Sequence, residues 1–135
     1  MTYFEFLIPR RPISLHTRNR EYYQGWKRFV AGEAHKVWGN RPAIRSGDLH
    51  LQLVYLSRRN PPDLDNIIKP IQDALVGLVM HDDSLVADVE CHRRAINGTF
   101  FELPRLPPLL LQGLIGGAEC VYVRLSDTEP LEDLL

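Results

Sequence analysis

Between Pro62 and Val86 the sequence reads PDLDNIIKPIQDALVGLVMHDDSLV, which sets Asp63, Asp65, Lys69 and Asp73 close together and then returns with Asp82 and Asp83. Carboxylates at this density repel one another unless something positive stands among them. Two arrangements relieve the repulsion. One is a solvated helix face that carries a lysine; the other is a hard divalent cation on oxygen ligands, Mg²⁺ or Mn²⁺ being the usual ones. Asp63 and Asp65 at a helix start would complement the helix dipole, and one of them would serve as its N-cap. That leaves Asp82 and Asp83 unexplained. If the chain turns back at His81–Asp83 and runs a strand beside the first one, Asp83 can meet Asp63 and Asp65, and three carboxylates then share one cation. Such a cation beside basic loops suits phosphodiester cleavage, because it activates a water and clamps the oxygens of the in-line transition state. Lys69, one turn after Asp65, would neutralise charge developing on the phosphate or position the attacking water. The plain alternative is an Asp65–Lys69 surface pair worth roughly a few tenths of a kcal/mol. On this reading Asp73 is a surface residue one turn beyond the lysine.

The elements that must position these residues follow from hydrophobic spacing. Leu64, Ile67, Ile68, Ile71, Ala74, Leu75, Leu78 and Val79 fall on one arc of a helix, with Asp65, Lys69, Gln72 and Asp73 opposite. A helix is therefore expected over 64–79, irregular in its first turns because Pro70 removes a backbone donor. Before it, TYFEFLI (2–8) and DLHLQLVYL (48–56) read as strands. Residues 20–38 read as a helix whose apolar set is Tyr22, Tyr23, Trp26, Phe29, Val30, Ala34 and Val37. After the HDD turn, SLVADVECHRRAI (84–96) and ECVYVRL (119–125) read as strands. The Pro/Leu-rich LPRLPPLLLQGLIGG (103–117) is a long apolar loop or short helix that must bury itself, on its own domain or at a subunit interface. The order β-α-β-α-β-β indicates an α+β single domain, a small mixed sheet with two main helices. The domain is expected over 1–125 and a frayed acidic tail over 126–135.

At 135 residues with 44% hydrophobic composition, the chain supports one globular core. No apolar run approaches the roughly 20 residues needed to span a bilayer, and MTYFEFLIPRRP lacks the build of a secretory signal. Cys91 and Cys120 lack CxxC spacing and point to reduced core thiols in a cytosolic protein. The net charge of −1 conceals an asymmetry: residues 1–62 carry 11 Lys/Arg against 4 Asp/Glu, and residues 63–135 carry 5 against 13. A basic half attracts polyanions through counterion release. Arg10, Arg11, Arg18, Arg20, Arg58 and Arg59 are the candidates for phosphate contact.

The stretch DLDNIIKPIQDAL followed by HDDSLV resembles the signature of the RusA family of Holliday junction resolvases, a D-x-D-N-x-x-K helix and then a D-D turn. The likeness extends more weakly over most of the chain, and six positions matched in fixed order are far more specific than a lone D-x-D. The resemblance implies a Mg²⁺-dependent endodeoxyribonuclease, with Mn²⁺ as the other possible metal. It implies a homodimer that nicks two strands of a four-way DNA junction symmetrically in recombination and repair, in a nucleoid-associated cytoplasmic setting of bacterial or phage type. Carried over by position, it makes Asp63, Asp65 and Asp83 the metal ligands, Lys69 the catalytic lysine, and Asn66 and Asp82 supporting residues. Where the family carries basic residues directly before the first aspartate, Pro61 and Pro62 intervene here after Arg58 and Arg59. The 103–117 segment looks inserted.

Other constellations are weaker. His81, Cys91, His92 and Cys120 match no zinc-finger spacing, and Cys91 and His92 point to opposite faces of a strand. Ser14 and Ser84 lack a nucleophile elbow, and His16 and His35 read as a loop and a helix-surface residue. Trp26 and Trp38 suit a core better than a base-stacking platform. Two function classes remain: a metal-dependent, structure-selective endonuclease, with or without junction specificity, and a non-catalytic nucleic-acid-binding module on the same fold. The first is favoured, because DNA binding alone gains nothing from clustered negative charge.

Overall fold

The computed structural model describes residues 1–13, 18–98 and 102–135; the readings of Ser14 and His16 lie outside them. Strand β1 (Thr2–Ile8) alternates, burying Phe4, Phe6 and Ile8. Asn19 caps helix α1 (Arg20–Trp38), its side-chain oxygen accepting from the backbone N–H of Glu21 at 3.0 Å and of Tyr22 at 3.1 Å. Trp26, Val30, Ala34 and Trp38 bury one four-residue row of α1. Tyr22 and Val37 do not join that row and are 64% and 50% exposed: Val37 lies one residue off it, about 100° away, and Tyr22 belongs to the first turn. Both tryptophans are core residues, and Trp38 meets Phe4 edge-on at 5.2 Å between centroids.

Strand β2 (Leu49–Ser57), helix α2 (Leu64–Leu75) and strand β3 (Val86–Ala95) form a β-α-β unit with β2 and β3 parallel. Helix α3 (Pro108–Gly116), strand β4 (Cys120–Asp127) and one exposed helical turn, α4 (Leu131–Leu134), complete the chain. The sheet order is β1-β4-β2-β3, with β4 antiparallel to both neighbours. The result is the expected α+β domain with a small mixed sheet. The strand after the HDD turn lies beside β2, however, and not beside β1. A parallel partner needs a crossover, and α2 supplies one for β2.

Three boundaries differ from the sequence pattern by two residues or more. Helix α2 ends at Leu75, four residues early, because Val76 turns to an extended backbone and Gly77 takes a φ of 89°. Val79 and Met80 are buried all the same, so the apolar run served a packed turn that spacing alone cannot tell from helix. The helix is also regular from Leu64 through Pro70, which is buried within it. Strand β3 starts at Val86, after a 3₁₀ turn at Asp83–Leu85. Strand β4 runs two residues past Leu125, and Asp127 accepts the Tyr3 hydroxyl at 2.8 Å. Ser126 and Asp127 therefore belong to the sheet, not to a tail.

Alternate strand residues feed two cores. Phe4, Phe6, Leu51, Leu53, Val121, Val123 and Leu125 pack with α1 and α2, while Leu56, Ile96, Leu110, Cys120 and Tyr122 form a smaller cluster with α3. The 103–117 segment thus packs on its own domain, although Ile115 remains 76% exposed. Two buried tyrosines carry a pH signature. Burial, the largest cause, raises the Tyr55 hydroxyl from 10.0 to about 12. It raises Tyr122 further still, aided by its bond to Glu5. The fold holds these protons more tightly than the unfolded chain does, so their contribution is complete below about pH 10 and is lost as pH climbs toward 12. Unfolding free energies from urea titration should stay level up to roughly pH 9.5 and then fall by about 1.4 kcal/mol per pH unit for each tyrosine; a Tyr122→Phe protein should fall less steeply.

Candidate active site

The β2-α2-β3 unit carries the aspartate motif. Asp63 occupies the N-cap position of α2, yet its carboxylate makes no capping bond. The helix-cap explanation therefore does not account for this side chain, which is exposed. Asp65 is exposed as well and accepts only the neighbouring Asn66 N–H, at 3.1 Å. Asn66 is buried, 7% exposed, and its Oδ1 has no hydrogen-bond partner within the protein. Arg11, Pro12, Asn60, Pro61, Pro62, Asp63 and Asn66 line an open cleft of about 440 Å³ at this end of the helix.

The second half of the motif is delivered by a pinned turn. Gly77 N–H donates to the Met80 carbonyl at 2.8 Å, and Ile44 bonds Val79 and His81 through its own N–H and carbonyl, each at 2.8 Å. The chain leaves that turn at Asp82, whose carboxylate accepts the Ser84 hydroxyl at 2.6 Å. That bond, the largest favourable cause, lowers the Asp82 pKa. Asp83 then points back to α2, where its Oδ2 lies 3.2 Å from Lys69 Nζ.

Lys69 is held from two sides. Besides Asp83 it meets Asp73 Oδ1, one turn further along α2, at 2.9 Å. Asp73 first and Asp83 second fasten the proton on the ammonium and raise its pKa. Asp73 Oδ2 in turn accepts the Tyr23 hydroxyl of α1 at 3.4 Å. The structure thus draws Asp73, read from sequence as a bystander, into the row with Lys69. The i, i+4 spacing of Asp65, Lys69 and Asp73 was the available signal. Tyr23 was grouped with the apolar set, and nothing in its spacing distinguished it.

The arginines divide in two. Arg11 donates through Nη1 to the Tyr55 hydroxyl at 3.2 Å, the Arg59 carbonyl at 3.4 Å and Glu119 Oε1 at 3.3 Å, and through Nη2 to the Asn60 carbonyl. Arg58 is turned toward the Gly117 carbonyl, with its Nε at 3.0 Å. Arg10 lies over the Phe29 ring, 5.1 Å from its centroid. Arg18, Arg20 and Arg59 are exposed, and Arg20 shares an open hollow with Glu21, Gln24 and Arg28. Glu119 joins the loop to β4. Burial pushes its carboxyl up, but the Arg58 N–H at 2.7 Å and the Arg11 guanidinium outweigh that and keep its pKa low. Glu119 contacts residues 61 to 108 positions away, so no local pattern could reveal it. Glu119→Ala should cost about 1–3 kcal/mol by leaving those donors unpaired, read as a lower melting temperature, and should loosen the cleft wall that Arg11 ties to the loop.

The thiols stand apart from this site. Cys91 packs against the larger core, where burial pushes it up to about 11, and exposed His92 faces Glu90, 3.6 Å away. Among the described residues no three His, Cys, Asp or Glu side chains form a ready-made metal cage. A magnesium ion does not require one: it takes one or two carboxylates and fills its octahedron with water and substrate phosphate. An all-oxygen set with uncommitted carboxylates at Asp63 and Asp65 fits such an ion.

The described residues also contain no helix long and apolar enough to cross a membrane. No curated protein matches the chain. The sequence profile of endodeoxyribonuclease RusA matches residues 10–103. That span takes in β2, α2, β3 and both halves of the aspartate motif, and it stops where the Pro/Leu-rich segment begins. With well over half its length matched, the chain belongs to the RusA endodeoxyribonuclease family.

Proposed function

We propose that this protein is a Mg²⁺-dependent, structure-selective endodeoxyribonuclease that resolves four-way DNA junctions in recombination and repair, with Mn²⁺ as an alternative metal. One observation carries the reading: the fold sets Asp83 against Lys69 across fourteen residues of chain, which joins the two halves of the motif in one place. Asp63, Asp65 and Asp83 would hold the ion. When bound, it would supply the charge that activates water and stabilises the in-line transition state. Lys69 stands beside Asp83 and would offset negative charge gathering on the phosphate. The exposed arginines Arg18, Arg20 and Arg59 hold the DNA backbone, and Arg11 holds the cleft wall. Asn66 and Asp82 support the site, Asn66 from beneath the helix start and Asp82 through its bond to Ser84. Paired symmetric cuts require two such sites, hence a homodimer.

The experiment is to incubate the protein with labelled four-way, flap and linear DNA, with Mg²⁺ and with chelator. Metal-dependent cutting of the junction at two symmetric positions is expected. Equal cutting of linear duplex would remove junction selectivity, and no cutting of any substrate would reduce the protein to a binding module.

A further inference from the structure

We propose that Asp73 is a positioning residue that keeps Lys69 in the site by giving its ammonium group a partner other than Asp83. The inference rests on the reading above, in which Asp83 takes part in holding a cation. Lys69 Nζ lies between the two carboxylates, 2.9 Å from Asp73 and 3.2 Å from Asp83. These two partners differ in what else they must do. Asp83 opens the turn that leads into β3 and belongs to the proposed ligand set. A cation and an ammonium group on one carboxylate repel each other, so Asp83 cannot serve both equally well. Asp73 has no such second duty. It sits on the same rigid helix face as Lys69, one turn on, where the spacing itself brings the two side chains together.

Tyr23 completes the arrangement. Its hydroxyl donates to Asp73 Oδ2, the oxygen that Lys69 does not use, at 3.4 Å. That bond turns Oδ1 toward the lysine. Lys27 in turn lies over the Tyr23 ring, 5.5 Å from its centroid, which steadies the ring on α1. The path Tyr23–Asp73–Lys69 therefore gives the ammonium a resting place from which Asp83 can turn to the ion without the lysine leaving the site.

The test is calorimetric titration of Mg²⁺ and Mn²⁺ into the full chain without DNA. Asp73→Asn leaves Lys69 on Asp83 alone, so it should weaken cation binding roughly five- to tenfold. Tyr23→Phe should act in the same direction by about twofold. Lys69→Met should bind the cation at least as tightly as the wild type, and Asp73→Asn added to it should cause no further change. A merely structural surface pair would not produce that rescue. Unaltered cation affinity in Asp73→Asn and Tyr23→Phe overturns the assignment while leaving the nuclease reading in place. Failure of the wild type to bind either ion without DNA overturns the assignment too, and the nuclease reading then stands or falls on the cleavage assay.

Discussion

Asp65→Asn is expected to lose Mg²⁺-dependent cleavage by at least about a hundred- to a thousandfold, with four-way-junction binding unchanged. Asp65 is exposed and accepts a single local hydrogen bond, from the Asn66 N–H. An amide oxygen can take over that bond, so stability should shift by no more than about 0.5 kcal/mol. What the amide cannot replace is the anionic oxygen, offered one turn before Lys69 on the outer face of α2. The loss should therefore lie in turnover. Cleavage time courses at saturating junction DNA read it directly, and a gel-shift series without Mg²⁺ reads binding. Cleavage at the wild-type rate would exclude Asp65 from the chemistry. Lys69→Ala, in contrast, should disturb both measurements, because it also releases Asp73 and Asp83 to repel each other.

The largest stability effect is expected at Trp26. Its side chain is 1% exposed and stacks on Phe29 at 6.3 Å, so Trp26→Ala should cost about 3–5 kcal/mol through lost burial and a residual cavity. Against a typical total of roughly 5–15 kcal/mol, that is enough to leave much of the protein unfolded at moderate temperature. Trp26→Phe separates two contributions. The buried indole N–H has no partner within the protein, so replacing it removes an unpaired donor along with some apolar area. The phenylalanine variant should lose well under half of what the alanine variant loses. Urea titrations followed by circular dichroism give both numbers.

The fold and the candidate site were legible in the sequence to different depths, for physical reasons. β1 and α1 were read to the residue because their ends are local: Pro9 stops the strand, and Asn19 and Gly39 cap the helix. The end of α2 was not, because Leu78 and Val79 satisfy helical spacing while packing in a turn that Gly77 and Ile44 impose. The sheet order depends on pairings between distant strands and leaves no local trace. Within the site, the row Asp65, Lys69 and Asp73 was visible at i, i+4 spacing. The return of Asp83 to α2 was visible only as a conditional meeting with Asp63 and Asp65, and its contact with Lys69, which needs the β2-α2-β3 crossover to close, was not foreseen. Glu119 and Tyr55, which anchor Arg11, are joined to it through tertiary contacts alone. Local patterns reveal a side chain's type and face, whereas its partner is fixed by topology.

Strand β4 comes latest of the four strands in the sequence, yet it lies between β1 and β2. This sets the order of events on the ribosome. While residues up to about Gly117 emerge, β1 has no neighbour to pair with, and β2 can bond only β3. Without β4, β1 and the β2–β3 pair share no sheet, and the larger core lacks Val121, Val123 and Leu125. The aspartate motif is therefore translated long before anything can hold it in shape, and the domain should fold in a single late step when Cys120–Asp127 slots in. Ribosome-arrested chains ending at Gly117 should be digested rapidly by protease, while chains extended past Asp127 by a linker long enough to clear the exit tunnel should resist. A truncated message would then release a degradable chain in place of a half-formed DNA-cutting enzyme.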